Sequence, residues 1–223
     1  MKVITNTFAV FLIALVIFAC SEATSSTVKD VVADESTQAA SEVVKVAMAE
    51  VAGETEEYKI DIKGAHASIL FKVNHLGYSW LQGRFNDFDG AFTYDTGNPD
   101  NTKITVTIDT SSVDSNHAER DKHLRSDDFL DVEKFPTASF ESTAVSLTDG
   151  SGTVTGNLTL HGVTKAVVLN VSEVGTGEDP WGGYRRGFTG TTEFKMADFG
   201  ITKNLGPASQ TVYMELNIEG IRQ

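Results

Sequence analysis

Five histidines are the side chains in this sequence best suited to metal binding or acid–base chemistry. Their spacings match no zinc signature, and the only cysteine, Cys20, lies far from all of them in the chain. A Gly-x-Ser-x-Gly nucleophile elbow is also absent. The sequence therefore predicts no bound metal, no cofactor and no catalytic residue. The histidines are His66, His75, His117, His123 and His161.

A second polar set lies within six residues of the chain and contains Arg120, Asp121, His123 and Arg125. In one interpretation, its cations face an oxygen atom of a bound molecule, because arginine is a strong donor to phosphate and similar groups. In the other, Arg120 pairs with Asp121 and holds this segment against the rest of the fold. The structural interpretation is favoured, and Arg120 and His123 are retained as binding candidates.

Cys20 is a candidate for covalent lipid attachment, because it directly follows the one long apolar run of the chain. Residues 8–19 are all apolar and follow a single lysine, which is typical of the core of a signal peptide and too short to span a bilayer. The order Ile17-Phe18-Ala19-Cys20 resembles a bacterial lipobox. We therefore predict a signal peptide over 1–19 and a lipidated Cys20 that attaches the protein to a membrane. An ordinary secretory signal and a retained signal anchor are the alternatives.

Charge and composition divide the rest of the chain into two parts. Residues 21–57 carry nine acidic and two basic residues and no aromatic residue, so we predict that 20–57 form the lipidated cysteine and a flexible acidic linker. Residues 58–223 carry 22 acidic and 15 basic residues, a net charge of −7. This acidity argues against a nucleic-acid partner, since such binding depends on cations that neutralise phosphates.

The elements that must position these groups follow from alternation with a period of two. Runs such as 58–62, 67–74 and 212–218 alternate apolar and polar residues, and clusters of glycine, asparagine and aspartate separate them. Eight or more short runs of this kind predict an antiparallel β-sandwich or barrel. Residues 115–135 break the pattern and predict a short helical insertion over one end of it.

Several stretches, taken together and in order, resemble the YceI-like family of periplasmic lipid-binding proteins, also called polyisoprenoid-binding proteins. The resemblance covers nearly all of 58–223. Leu130 and the pair Met196-Ala197 depart from the family pattern. The stretches are YKID (58–61), HASILFKVNH (66–75), GRFNDFDG (83–90), RDKHLRSDDFLDVEKFP (120–136), ASFES (138–142), GNLTLHGVTKAVVL (156–169) and DFGI (198–201).

The resemblance implies an eight-stranded antiparallel barrel similar to lipocalins, with an apolar pore that holds an extended isoprenoid or fatty chain. The alternation alone leaves open whether the barrel is open or filled by its own side chains. Arg120 and His123 are the polar candidates for the pocket mouth. The candidate lining residues, chosen by alternation, are Ile69, Phe71, Val73, Phe88, Phe92, Ile104, Val106, Phe140, Leu158, Val167, Phe194 and Leu216.

The predicted function is binding and sequestration or transport of a polyisoprenoid, an isoprenoid quinone or a fatty amide outside the cytoplasm. A structural or stress-protective surface lipoprotein without a ligand is one alternative, and an isoprenoid- or quinone-linked enzyme is another. The predicted location is the periplasm or cell envelope. Ser21 lacks the aspartate that retains many lipoproteins in an inner membrane, which favours the outer membrane. A homodimer is left open.

Overall fold

The computed structural model of the protein describes residues 53–223. The predicted signal peptide, Cys20 and the linker up to residue 52 lie outside the described residues. Residues 55–57, which the sequence analysis assigned to the linker, form the start of the first strand and pair with β4. The barrel therefore begins three residues before the boundary expected from alternation.

Within 53–223 the fold consists of eleven antiparallel strands and one short α-helix, which confirms the predicted all-β class and the helical insertion. The insertion contains α1 (Ala118–Leu124), whose first turn is capped by His117 Nδ1, an acceptor for the Arg120 backbone N–H at 3.3 Å. No helix within 53–223 is long and apolar enough to cross a bilayer. The strands are β1 (Thr55–Ile60), β2 (Ser68–His75), β3 (Ser79–Phe85), β4 (Phe88–Asp95), β5 (Lys103–Asp109), β6 (Val113–Asp114), β7 (Thr137–Thr148), β8 (Ser151–Leu160), β9 (Val163–Glu178), β10 (Tyr184–Lys195) and β11 (Thr211–Arg222).

Eight of these strands close a barrel, in the order β1-β4-β5-β7-β8-β9-β10-β11 and back to β1. Strand β11 is also a branch point. Its last residues, Gly220–Arg222, pair with β1, whereas Val212–Asn217 pair with β2, which continues into β3 and β6. All the strand pairings that close this ring join strands within 53–223, so this segment supplies the whole barrel wall.

Strand β3, like the two-residue β6, was not among the runs that alternation indicated. Its inward positions are Leu81, Gly83 and Phe85, and the glycine removes one apolar residue from the expected repeat. The ring of Phe71 on the neighbouring strand fills the vacant space, since a Cβ atom at Gly83 would lie only 2.4 Å from the Phe71 Cζ atom. The glycine thus makes room for a ring of the neighbouring strand, and periodicity along the chain does not reveal this role.

The glycine-rich segment 175–183 also departs from the expectation that glycine clusters separate the strands. In the structure β9 continues to Glu178 and β10 begins at Tyr184, so the two strands form a long hairpin. A register shift next to Phe188 leaves Val174 as an extra residue in β9. Such a bulge bends the strand.

Candidate functional site

The inner faces of the strands enclose an apolar cavity of about 460 Å³. This volume lies in the range of about 300–1,000 Å³ that is usual for small-molecule sites. Phe88 is the exception among the predicted lining residues, because its side chain is buried without reaching the cavity. The eleven candidates that do line it are Ile69, Phe71, Val73, Phe92, Ile104, Val106, Phe140, Leu158, Val167, Phe194 and Leu216.

Glycine–phenylalanine pairs explain why a barrel rich in large side chains stays open. The Phe71 ring lies over Gly83, and the Phe140 ring lies over Gly156, where an added Cβ would be only 2.3 Å from the Phe140 Cζ atom. Each ring therefore occupies the place of a missing side chain on a neighbouring strand. As a result the rings lie along the wall and leave the centre of the barrel free.

Some lining residues come from elements that the pattern did not predict or did not assign to the interior. Leu81 and Phe85 belong to β3, and Phe129 and Leu130 follow α1. Leu205 lies in the connection between β10 and β11. For this group of residues the one sequence signal was the pair of apolar residues after the helix, Phe129 and Leu130. Both are buried in the structure.

Aromatic rings form the floor of the cavity. The Phe92 and Phe188 rings meet edge to face, with their centroids 5.8 Å apart, and both line the cavity. Behind them the Tyr58 ring stacks on Phe92 at 4.8 Å. The end of the barrel that these residues and Tyr94 fill is called the closed end below.

Arg186 is the charged centre of the closed end and is buried with a 6% exposed surface. Its guanidinium group lies 3.7 Å from the centre of the Tyr94 ring and 3.0 Å from Glu173. It also contacts Glu56 and the Tyr58 hydroxyl, both at 3.4 Å. Burial lowers the pKa of Arg186, but the Tyr58 hydroxyl and the charge of Glu173 outweigh burial, and the net shift is upward. This arginine is therefore a paired cation that seals the barrel.

Arg185, the preceding residue, forms a second network on the outside of the same end. Its guanidinium group donates to Asp61 at 2.7 Å, to Asp179 at 2.6 Å and to Glu219 at 2.5 Å. The hydrogen bond from Arg185, together with those from the Gly64 backbone and His66, lowers the pKa of Asp61 to about 2. The two neighbouring arginines thus form ion pairs on opposite faces of β10.

Asp61, His66 and Glu219 are also spaced so that three ligand atoms lie within 4.8 Å of one another. The same Arg185 Nη1 atom donates to both of these carboxylates, so the side chain already supplies a cation between them. The arrangement is therefore explained by an ion-pair network.

The mouth of the cavity is identified by exposure. Of the lining residues in the described part of the chain, His75 and His123 alone are exposed. His75 ends β2 and His123 lies in α1, so the cavity opens between that strand and the helix. We call this region the open end.

Arg120 lines the cavity close to this mouth, and its contacts correct one structural interpretation of the sequence. It does not pair directly with Asp121. Instead its Nε donates to the Ser115 hydroxyl at 2.7 Å, and that hydroxyl donates to Asp121 at 2.5 Å. Within residues 53–223 no carboxylate forms a salt bridge with Arg120, and its Nη1 atom has no hydrogen-bond partner. One face of the guanidinium group is therefore available to another molecule.

His123, the second polar candidate, lines the mouth while one of its nitrogens is already engaged. Its Nε2 atom lies 2.7 Å from Asp128 Oδ2, which also accepts a hydrogen bond from Lys203. Both hydrogen bonds lower the pKa of Asp128, and the bond from Lys203 has the larger effect. The ring packs edge to face on Phe129, which keeps it at the mouth.

One polar atom lies deeper in the wall. The Thr102 hydroxyl is buried, lines the cavity and has no hydrogen-bond partner among the described residues. A buried hydroxyl without a partner costs about 1–3 kcal/mol. Besides Arg120, it is therefore a second hydrogen-bond donor for a polar atom of a bound molecule.

Comparisons with known proteins agree with this architecture. A UPF0312 protein of Pseudomonas aeruginosa is 62% identical over 167 residues, which make up 75% of this chain and 87% of that protein. Burkholderia cenocepacia BcnA shares the fold with a TM-score of 0.65 at 20% identity, over 72% of this chain and 98% of its own. A polyisoprenoid binding domain from Saccharophagus degradans shares it with a TM-score of 0.55 at 19% identity, over 74% and 98% of the two chains. The YceI-like domain matches residues 58–220, and the chain therefore belongs to the YceI-like family.

Proposed function

We propose that the protein binds one long-chain amphiphilic lipid in its cavity and sequesters or carries it outside the cytoplasm. The observation that carries the proposal is the open cavity of about 460 Å³ with an almost wholly apolar lining. The Saccharophagus degradans domain, described as polyisoprenoid binding, supports the same class of ligand. A polyisoprenoid, an isoprenoid quinone and a fatty amide all combine an apolar chain with a small polar head.

The expected affinity follows from burial of the chain. Each buried methylene contributes about 0.8 kcal/mol, so ten carbons supply about 8 kcal/mol before the cost of ordering the ligand. This is sufficient for micromolar binding without any polar contact. The lining therefore explains affinity for a chain, whereas it offers little discrimination between one apolar chain and another.

The polar head is proposed to lie at the open end. Arg120 presents a guanidinium face without a carboxylate partner, next to the two exposed histidines of the mouth. A phosphate, an amide oxygen or a quinone oxygen would accept a hydrogen bond there. The opposite orientation would bring a charged head against Phe92 and Phe188, where the lining supplies no charged donor to it.

Two alternatives receive less support from the cavity. A structural lipoprotein without a ligand has no need of an open interior of this size, which costs packing energy. An enzyme needs reactive groups inside the cavity, yet within residues 53–223 no serine, cysteine or carboxylate lines it. We therefore propose a binding protein and not a catalyst.

The membrane anchor at Cys20 and the location in the periplasm or cell envelope, with the outer membrane favoured, belong to the same proposal. The full chain should fractionate with membranes, and the Cys20→Ser variant should lose the covalently attached lipid in a mass spectrum of the mature protein. An unmodified Cys20 in the mature chain would contradict the anchor without affecting the proposed cavity ligand.

The binding proposal is tested with residues 53–223, purified without detergent and examined by native mass spectrometry and organic extraction. We expect one apolar molecule per chain, released when the protein unfolds. Gly190 faces the cavity, and a Cβ atom there would meet Val171 and Leu216 at ordinary distances of 3.5–3.6 Å. The Gly190→Leu substitution should therefore fill the lumen without straining the wall, and it should lower ligand occupancy at least about tenfold.

Gly187→Leu is the matched control, because it changes the same residue type on the same strand without lining the cavity. A Cβ at Gly187 meets its nearest neighbour, Val174, at 3.7 Å. This variant should keep full occupancy. A chain of apo mass that also refuses added polyprenol, quinone and fatty amide would overturn the proposal, and so would equal occupancy in the two leucine variants.

A further inference from the structure

An exposed apolar tip borders the mouth of the cavity. It consists of Leu76, Tyr78 and Trp80, which are 54%, 88% and 50% exposed, in the hairpin between β2 and β3. The same hairpin contributes His75 and Leu81 to the cavity lining. The tip and the entrance are therefore parts of one surface.

The tip is held in a defined conformation. Leu76 has a φ of 57°, in the left-handed region that is unfavourable for a leucine, and Gly77 follows with a φ of 87°. The Leu76 N–H donates to the Ser209 hydroxyl at 3.3 Å, and the Gly77 N–H donates to Asn74 Oδ1 at 2.6 Å. A strained backbone and an exposed leucine both disfavour the folded state. Their presence together indicates that this turn contacts another molecule.

The charge around the tip differs from that of the rest of the protein. The whole chain has a net charge of −13, yet residues 68–83, which form β2, the turn and most of β3, contain no aspartate or glutamate and include Lys72. Residues 199–214, which hold the Ser209 contact, contain no acidic residue either. Lys72 Nζ lies 5.1 Å from the centre of the Trp80 ring. The segments that carry the tip thus combine apolar side chains with two cations, Lys72 and Lys203, and contain no acidic residue. Asp128, across the mouth, is paired with His123 and Lys203.

We propose that this tip docks on the surface of a lipid bilayer that contains anionic phospholipids, and that the cavity exchanges its ligand there. A narrow protruding turn suits insertion into a soft apolar phase, and tryptophan and tyrosine favour the membrane–water interface. Anionic headgroups attract the nearby cations. With the mouth against the bilayer, an apolar chain enters the cavity without crossing water. The exchange step rests on the proposed function, whereas docking does not.

The two tryptophans of the chain allow a direct test, because they lie at opposite ends of the barrel. Trp80 is at the tip, and Trp181, which is 80% exposed, lies in the turn between β9 and β10. In residues 53–223, Trp181→Phe leaves Trp80 as the fluorophore, and Trp80→Phe leaves Trp181. With vesicles of phosphatidylcholine and phosphatidylglycerol we expect a blue shift of Trp80 emission and quenching by brominated lipid. Trp181 emission should not change.

Vesicle co-sedimentation of matched double variants gives the second measurement. Leu76→Ser combined with Tyr78→Ser should lower partitioning onto these vesicles at least about tenfold, because two inserted side chains are lost. Val174→Ser combined with Trp181→Ser removes two exposed apolar residues at the other end and should leave partitioning unchanged. Pure phosphatidylcholine vesicles should bind the wild-type chain more weakly.

Three outcomes would overturn docking through the tip. They are a lipid-dependent shift of Trp181, an equal loss in the two double variants, and a concentration-dependent shift of Trp80 without vesicles, which would indicate a second copy on the tip. Ligand occupancy is measured by native mass spectrometry without vesicles. A liganded chain that does not bind vesicles therefore contradicts docking alone, and an empty chain that binds them contradicts the proposed ligand alone.

Discussion

The two ends of the barrel treat their arginines in opposite ways. At the closed end Arg185 and Arg186 alternate across β10, and carboxylates surround each of them, three on the outside and two on the inside. At the open end Arg120 donates to Ser115 and has no salt bridge with any described residue. Apolar side chains border the mouth in an exposed position, whereas the Tyr58, Phe92 and Tyr94 rings that fill the closed end are buried.

This difference separates stability from binding. A buried charge whose partners are all present contributes to a unique packed arrangement, and removing one partner leaves the others uncompensated. A charge with an unused donor has capacity for a guest molecule. The closed end thus stabilises the barrel, and the open end is free to bind. The predictions below test this separation from the largest effect to the smallest.

The largest effect is expected at Arg186. The Arg186→Met substitution should lower the free energy of unfolding by about 3 kcal/mol, because Glu56 and Glu173 remain buried without their cation. Denaturant unfolding measures the change. Arg222→Met is the control, since Arg222 also pairs with Glu56 but is exposed, and its loss should cost much less stability than the loss of Arg186. A lower ligand occupancy without a loss of stability in Arg186→Met would break the comparison.

Asp61 should give the next largest effect, and it should depend on pH. Its pKa is about 2 in the folded chain and 3.8 ordinarily, because Arg185, the Gly64 backbone and His66 stabilise the carboxylate. Its contribution of about 1–2 kcal/mol is therefore complete above pH 3.8 and is lost as the pH falls toward 2. Asp61→Asn should reduce stability at pH 7 and flatten this part of the acid-unfolding curve.

The control for Asp61 is Asp89→Asn, which removes an ion pair with Lys59 that is more than half exposed. It should leave the free energy of unfolding within about 0.5 kcal/mol of wild type. An equal loss of stability in the two variants would show that the Arg185 network is no stronger than a surface pair.

Arg120 should affect binding more than folding. Arg120→Met should lower the affinity for a lipid with a phosphate or carbonyl head about tenfold, because the mouth loses its charged donor. The free energy of unfolding should fall by about 1 kcal/mol at most, through the Ser115 contacts. Squalene, a chain without a head, should bind equally to both proteins in a competition titration. A parallel loss for squalene would show that Arg120 acts by shaping the cavity.

Thr102 should have the smallest effect, with the opposite sign. Thr102→Val keeps the shape and removes the buried hydroxyl that lacks a partner, so the free energy of unfolding should rise by about 0.5 kcal/mol without ligand. Thermal unfolding of the delipidated chain measures it. A fall in stability would mean that a bound water satisfies the hydroxyl, and a fall in ligand affinity would identify a second polar contact.

Much of the lining was predictable because β-strands place successive side chains on opposite faces. Phe71 and Val73 on one strand and Ile104 and Val106 on another were assigned correctly to the interior from alternation. Phe88 has the same alternation as Phe92, yet it is buried outside the cavity. Periodicity identifies the face of a strand but not how far along the barrel the lumen extends.

Other parts of the site have no local signal. The inward face of β3 contains Gly83, whose role depends on the Phe71 ring across the sheet. The mouth is formed by His75 and His123, which are 48 positions apart in the chain and meet through the placement of α1. The partners of Arg186 come from β1, β4 and β9. Such pairings between distant segments cannot be read from spacing.

The order of residues along this chain was enough to establish an antiparallel β-fold, a helical insertion, an apolar interior and the absence of a metal or nucleophile motif. These properties depend on local periodicity and residue type. Whether the barrel is open or filled, which end is sealed and which cation keeps a free donor depend on contacts between segments that are distant in sequence. Those contacts arise when β11 closes the ring with β1, because closure decides which side chains share the limited space inside.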